Sequence, residues 1–103
     1  MGICLSSLDH NVNIPTDVCK EFTLRLKYCA SWKMISAARK KEVESFVFHF
    51  YPLAKFEYEP VHNFFTFEFD VLHDQNTIYS FKRDGDLKNS EDFILRIKKE
   101  VEK

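Results

Sequence analysis

The residues best suited to chemistry lie at the start of the chain and in one short loop. Met1-Gly2-Ile3-Cys4-Leu5-Ser6-Ser7 carries glycine at position two and serine at position six, the pattern read by an N-myristoyltransferase. Removal of Met1 would expose a Gly2 amine with no side chain in the way of the incoming acyl group. One myristoyl chain binds membranes only marginally, and Cys4 would supply the thiol for a palmitoyl group that makes anchoring durable. The alternative is a Met-Gly opening that arises by chance, small second residues being common. The stretch from Leu8 to Thr16 has no periodicity and reads as a tether. The expectation is therefore a flexible acylated segment over 1–20 and a folded domain over 21–103.

The second chemical element is Cys29, in the loop Cys29-Ala30-Ser31-Trp32. A helix is expected to begin directly after it, so the thiol would sit near unsatisfied backbone N–H groups that favour a thiolate. Lys33 would add to this by Coulomb attraction. A lone cysteine of this kind can form a mixed disulfide with glutathione or with a partner thiol, but an outside thiol must complete the exchange. A purely structural cysteine fits the same residues. Cys19 lies across a seven-residue strand, roughly 20 Å away, and should not reach Cys29. The cysteine count is odd, with no paired metal spacing and no secretory leader, which points to a reducing compartment. The cytoplasmic face of a membrane, the plasma membrane in the first place, is the expected location, and otherwise the cytoplasm.

The elements that must position Cys29 can be read in order. Phe22 to Tyr28 alternates apolar and polar residues, a strand signature. Lys33 to Phe50 holds no Gly or Pro, and Val43, Phe46, Val47 and Phe50 form a stripe at helical spacing, with Pro52 just beyond. Lys55 to Glu59 reads as a short strand stopped by Pro60. Phe64 to Leu72 reads as a strand, joined through His73-Asp74-Gln75-Asn76 to another over Thr77 to Lys82, as a hairpin. Asp84-Gly85-Asp86 is a turn, and Ser90 would cap a last helix whose apolar side is Phe93, Ile94, Ile97 and Val101. The order β-α-β-β-β-α, with a right-handed first crossover, predicts a two-layer α/β sandwich: a four-stranded mixed sheet with two helices.

Composition narrows the function. The chain has 103 residues, 15 basic against 16 acidic, so it is one domain without the basic excess of a nucleic-acid binder. Eleven phenylalanines and two glycines favour an aromatic core on regular elements. The Phe64 to Phe69 run reads as core, although Phe64, on the opposite side, could mark a partner surface. Arg39-Lys40-Lys41 reads as the solvated face of a helix, able to touch anionic headgroups. His49, His62, His73 and Cys29 contain no close ligand pair, so no metal is expected.

Tyr28-Cys29-Ala30-Ser31-Trp32, with Ile78-Tyr79-Ser80-Phe81-Lys82-Arg83-Asp84-Gly85-Asp86, resembles the selenoprotein W/T/H family of thioredoxin-like proteins. Phe64-Phe65-Thr66-Phe67-Glu68 and Asp92-Phe93-Ile94-Leu95 fall where that family has an aromatic strand and a closing helix. The resemblance covers about residues 22 to 103. It implies a thioredoxin-like sandwich with Cys29 as the first member of a Cys-x-x-Cys or Cys-x-x-selenocysteine pair. The second position here is Trp32, which cannot resolve a mixed disulfide. In the family topology, Pro60-Val61-His62-Asn63 would pass beside Cys29. Glu59-Pro60 would then be the candidate cis bond, and His62 either a neighbour of the thiol or a solvated loop residue. Two functions follow as expectations. One is a lipid-anchored adaptor, without dithiol activity, that binds a membrane surface and a protein partner. The other is a monothiol redox protein using Cys29 and glutathione.

Overall fold

The computed structural model describes Leu8 and residues 12–62, 67–85 and 89–102. Its elements are β1 (Thr23–Cys29), α1 (Lys33–Phe50), β2 (Lys55–Val61), β3 (Phe69–His73), β4 (Asn76–Ser80), α2 (Phe81–Asp84) and α3 (Ser90–Val101). The sheet order is β2-β1-β3-β4, with β1 parallel to β2 and the remaining pairs antiparallel. This is the expected α/β sandwich with a mixed four-stranded sheet, and its topology is compatible with a thioredoxin-like arrangement.

One face of the sheet meets the helices. Leu24 and Leu26 of β1 are fully buried, and the flanking Phe69, Val71 and Tyr79 bury on the same side. Phe46 stacks on Phe93 at 5.7 Å, and Tyr79 meets Phe93 edge-on at 6.1 Å, joining α1, α3 and β4 through aromatic rings. The other face alternates charge by strand. Arg25 and Lys27 of β1 stand between Glu57 and Glu59 of β2 and Asp70 of β3, and Arg25 Nε lies 3.3 Å from Glu59 Oε1.

Several boundaries differ from the sequence expectation. Pro60 does not stop β2, which continues to Val61. Val61 O accepts from Ala30 N at 2.8 Å and Lys55 N donates to Phe22 O at 2.9 Å, so the odd-numbered residues of β2 face β1. Alternation turns Pro60 to the outer edge, where its missing N–H breaks no ladder bond. β3 begins at Phe69, with Phe67 and Glu68 ahead of it; Phe64 and Phe65 lie outside the described residues. Lys82 belongs to the short helix α2 rather than to β4. Asp84 draws that turn closed by accepting from Ser80 N at 3.0 Å, and Gly85 ends it with φ of 74°. The hairpin turn is the two residues Asp74 and Gln75, with Asp74 at φ 55°. A bulge in β4 opposite Val71 and Leu72 lets Ile78 and Tyr79 both turn inward. The cap of α3 is Asn89, whose side chain accepts from Asp92 N at 3.0 Å, while Ser90 is buried.

The expected tether is a packed strap over its described part. Leu8 is buried in the main core, with Val12 and Ile14 against it. Leu8 N donates to Glu42 Oε2 of α1 at 3.2 Å, Thr16 Oγ1 to Phe50 O at 2.8 Å, and Lys98 Nζ of α3 to Pro15 O at 2.7 Å. The strap thus bridges both long helices, and the folded unit begins before residue 21. Its apolar residues have no period because an extended segment lying along two helices needs none.

Candidate functional site

β1 and α1 together position the loop that carries Cys29. Cys29 is the last residue of β1, level with Val61 of β2, and Ala30 is fixed to that strand by its bond to Val61 O. Trp32 N donates to Cys29 O at 3.3 Å, and Ser36, one turn into α1, donates its hydroxyl to the same carbonyl at 2.7 Å. Ser36 N donates to Trp32 O at 2.9 Å, which begins the helical ladder. The loop is therefore clamped to both the strand it leaves and the helix it enters.

The thiol is enclosed by this arrangement. Cys29 has 0% exposure and belongs to the main hydrophobic core. Trp32 is the N-terminal cap residue of α1 and makes no side-chain capping bond. Its ring lies 6.0 Å from Phe67, and Phe67 meets Phe81 edge-on at 5.0 Å. These three rings form an aromatic cluster at the end of the sheet where β1 and β2 finish, with Trp32 38% exposed. Lys33 is exposed at the first position of α1, and Ser31 is half-buried, its hydroxyl without a hydrogen-bond partner among the described residues.

The remaining expected neighbours are distributed differently. No peptide bond among the described residues is cis, so the Glu59–Pro60 bond is trans, and Val61 rather than Pro60 stands level with Cys29. His62 follows β2 and is exposed; Asn63 lies outside the described residues, as do Gly2 and Cys4. Cys19 is exposed in the turn that precedes β1, at the opposite end of that strand from Cys29.

The basic triplet is not a solvated face. Arg39 is 5% exposed, and Lys40 Nζ sits 4.0 Å from the centre of the Tyr28 ring and 5.3 Å from that of Tyr58. Only Lys41 is exposed. The signal was present in the spacing: residue 39 is in phase with Ser36, Val43 and Phe46 on the buried stripe of α1. The histidines are also apart, with His73 Nδ1 3.0 Å from Glu100 Oε1 and the His49 ring against Phe50. Among the described residues no helix is long and apolar enough to cross a membrane. Compared with known proteins, the chain matches no family model, no curated protein and no solved structure.

Proposed function

We propose that this protein is a lipid-anchored, thioredoxin-like adaptor that has no dithiol exchange activity. The observation that carries the reading is the burial of Cys29. The thiol where a redox pair would begin has no exposure, and the second position of the loop is a tryptophan packed on Phe67. Thiol exchange requires in-line approach of a second sulfur, which a fully buried core position denies. The resemblance of residues 22 to 103 to the selenoprotein W/T/H family supplies the kinship. The Gly2, Cys4 and Ser6 pattern supplies the anchor, with a eukaryotic membrane surface as its target. The strap adds to this reading, because only five residues separate Gly2 from the buried Leu8, which would hold the domain close to the bilayer.

Two measurements test the proposal. Cells expressing the full chain are fed an alkyne analogue of myristate. The wild type should take up the label, Gly2→Ala should not, and Cys4→Ser should keep the label but leave the membrane fraction. Unlabelled wild-type protein would end the anchor reading. Separately, protein carrying Cys4→Ser and Cys19→Ser is treated with glutathione disulfide. Cys29 should stay unmodified until denaturant is added; rapid modification of the native protein would replace the adaptor with the monothiol reading.

A further inference from the structure

The two edges of the sheet are treated differently. At the β4 edge, Ile78 O accepts from Arg83 Nη2 and Arg96 Nη1, each at 3.2 Å, so α2 and α3 close it with side chains. At the β2 edge, the outward N–H groups of Phe56 and Tyr58 and the outward carbonyls of Phe56, Tyr58 and Pro60 meet no strand among the described residues. A seven-residue edge left open is a template for strand addition. Beside it lies exposed apolar surface: Tyr58 is 48% exposed and Phe48 of α1, 5.2 Å from the Phe56 ring, is 43% exposed.

We propose that β2 pairs antiparallel with β2 of a second copy about a twofold axis through Glu57. The sequence of the strand, Lys55-Phe56-Glu57-Tyr58-Glu59, is complementary to itself in that register. Lys55 stands opposite Glu59 of the second copy, and Phe56 opposite Tyr58, each twice. Phe56 and Tyr58 carry the outward N–H groups, so these two residues form the doubly hydrogen-bonded pairs of an antiparallel ladder. Pro60 has no donor and ends the ladder after them, which limits the pairing to a short closed unit.

The axis also decides how the two layers meet. Residues directly opposite in an antiparallel pair point to the same face of the sheet. Both helical layers therefore fall on one side of a continuous eight-stranded sheet, with Tyr58 of each copy opposite Phe56 of the other and the exposed Phe48 rings on that same side. The charged faces join on the other side. There the two Glu57 carboxylates oppose each other at the axis, each beside its own Arg25, its cross-strand neighbour in β1. This pairing does not depend on the lipid anchor.

Sedimentation equilibrium of the full chain, under reducing conditions that exclude a Cys19 disulfide, tests the proposal. The wild type should form a dimer. Lys55→Glu and Glu59→Lys should each weaken it about tenfold, because two attractive pairs become two repulsive ones. An equimolar mixture of these two variants should recover wild-type affinity, since both pairs between positions 55 and 59 are again of unlike charge. Glu57→Gln should tighten the dimer. Hydrogen exchange provides a readout that needs no variant: the Phe56 and Tyr58 amides should gain protection as concentration rises, while the Glu57 amide, already turned towards β1, should not. A chain that remains monomeric at millimolar concentration, or a dimer indifferent to the charge reversals and their mixture, would overturn the proposal.

Discussion

Tyr51, just after α1, donates its hydroxyl to Glu102 Oε2, just after α3, and the same oxygen accepts Asp17 N from the strap at 3.1 Å. One carboxylate thus ties together the ends of both long helices and the N-terminal segment. Lys98 Nζ, 3.1 Å from the other oxygen, completes its shell. Replacing Glu102 by Ala removes the acceptor for both donors and should cost about 1–3 kcal/mol in urea unfolding. Amides within 12–20 should exchange faster in that variant; unchanged exchange would mean that the strap's other contacts hold it without Glu102.

Acid should release two carboxylates. Hydrogen bonds from Arg83, then the Ser80 amide and Arg96, hold Asp84 at about 2. The Tyr51 hydroxyl, followed by the Asp17 amide and Lys98, holds Glu102 below the usual carboxylate range. A folded value below the unfolded one means that the stabilisation is complete above about pH 5 and is lost as pH falls through the folded value. The urea midpoint should therefore fall between about pH 4 and pH 2. Asp84→Asn combined with Glu102→Gln should flatten that limb while lowering stability at neutral pH.

Substitution of Cys29 separates a packing role from a chemical one. In a fully buried position Cys29→Ala should be mild, whereas Cys29→Ser places a hydroxyl among core side chains and should cost about 1–3 kcal/mol. Ser36→Ala removes the 2.7 Å bond to Cys29 O and should lower stability by a similar amount. A reactive cysteine would instead give Ala and Ser variants of equal stability, both inactive towards glutathione disulfide.

The register of β2 predicts opposite outcomes for neighbouring positions. Pro60 faces the outer edge, so Pro60→Ala should change stability by no more than about 1 kcal/mol. Glu59 turns its N–H towards β1, so Glu59→Pro removes a ladder bond and should be far more destabilising, as read from thermal unfolding. Equal losses at the two sites would show the register to be wrong by one residue.

The regular elements were legible because each had a strong local signal. The range of α1 follows from an uninterrupted run of helix formers with a stripe at Val43, Phe46, Val47 and Phe50, all of them buried. The parallel β1–β2 pair follows from the helix that must cross between them. What was missed depends on distant contacts. Leu8, Val12 and Ile14 are spaced without period, and only the presence of α1 and α3 beneath them gives them a place to bury. Pro60 stops a central strand but not an edge one, and which strand lies at the edge is a property of the whole sheet. At the site, the strand and helix signals put Cys29 at the end of β1, with three residues between it and α1. Its burial could not be read, because it depends on how the core closes over the end of β1.

The strap has a consequence for the order of events during synthesis. Lys98 of α3 and Glu102 just after it hold Pro15 and Asp17, which lie 83 and 85 residues earlier in the chain. Until those residues are made, the strap has only α1 to pack against, through Glu42 and Phe50. The strap can therefore close only once residues up to 102 have emerged, and its ordering reports completion of the domain.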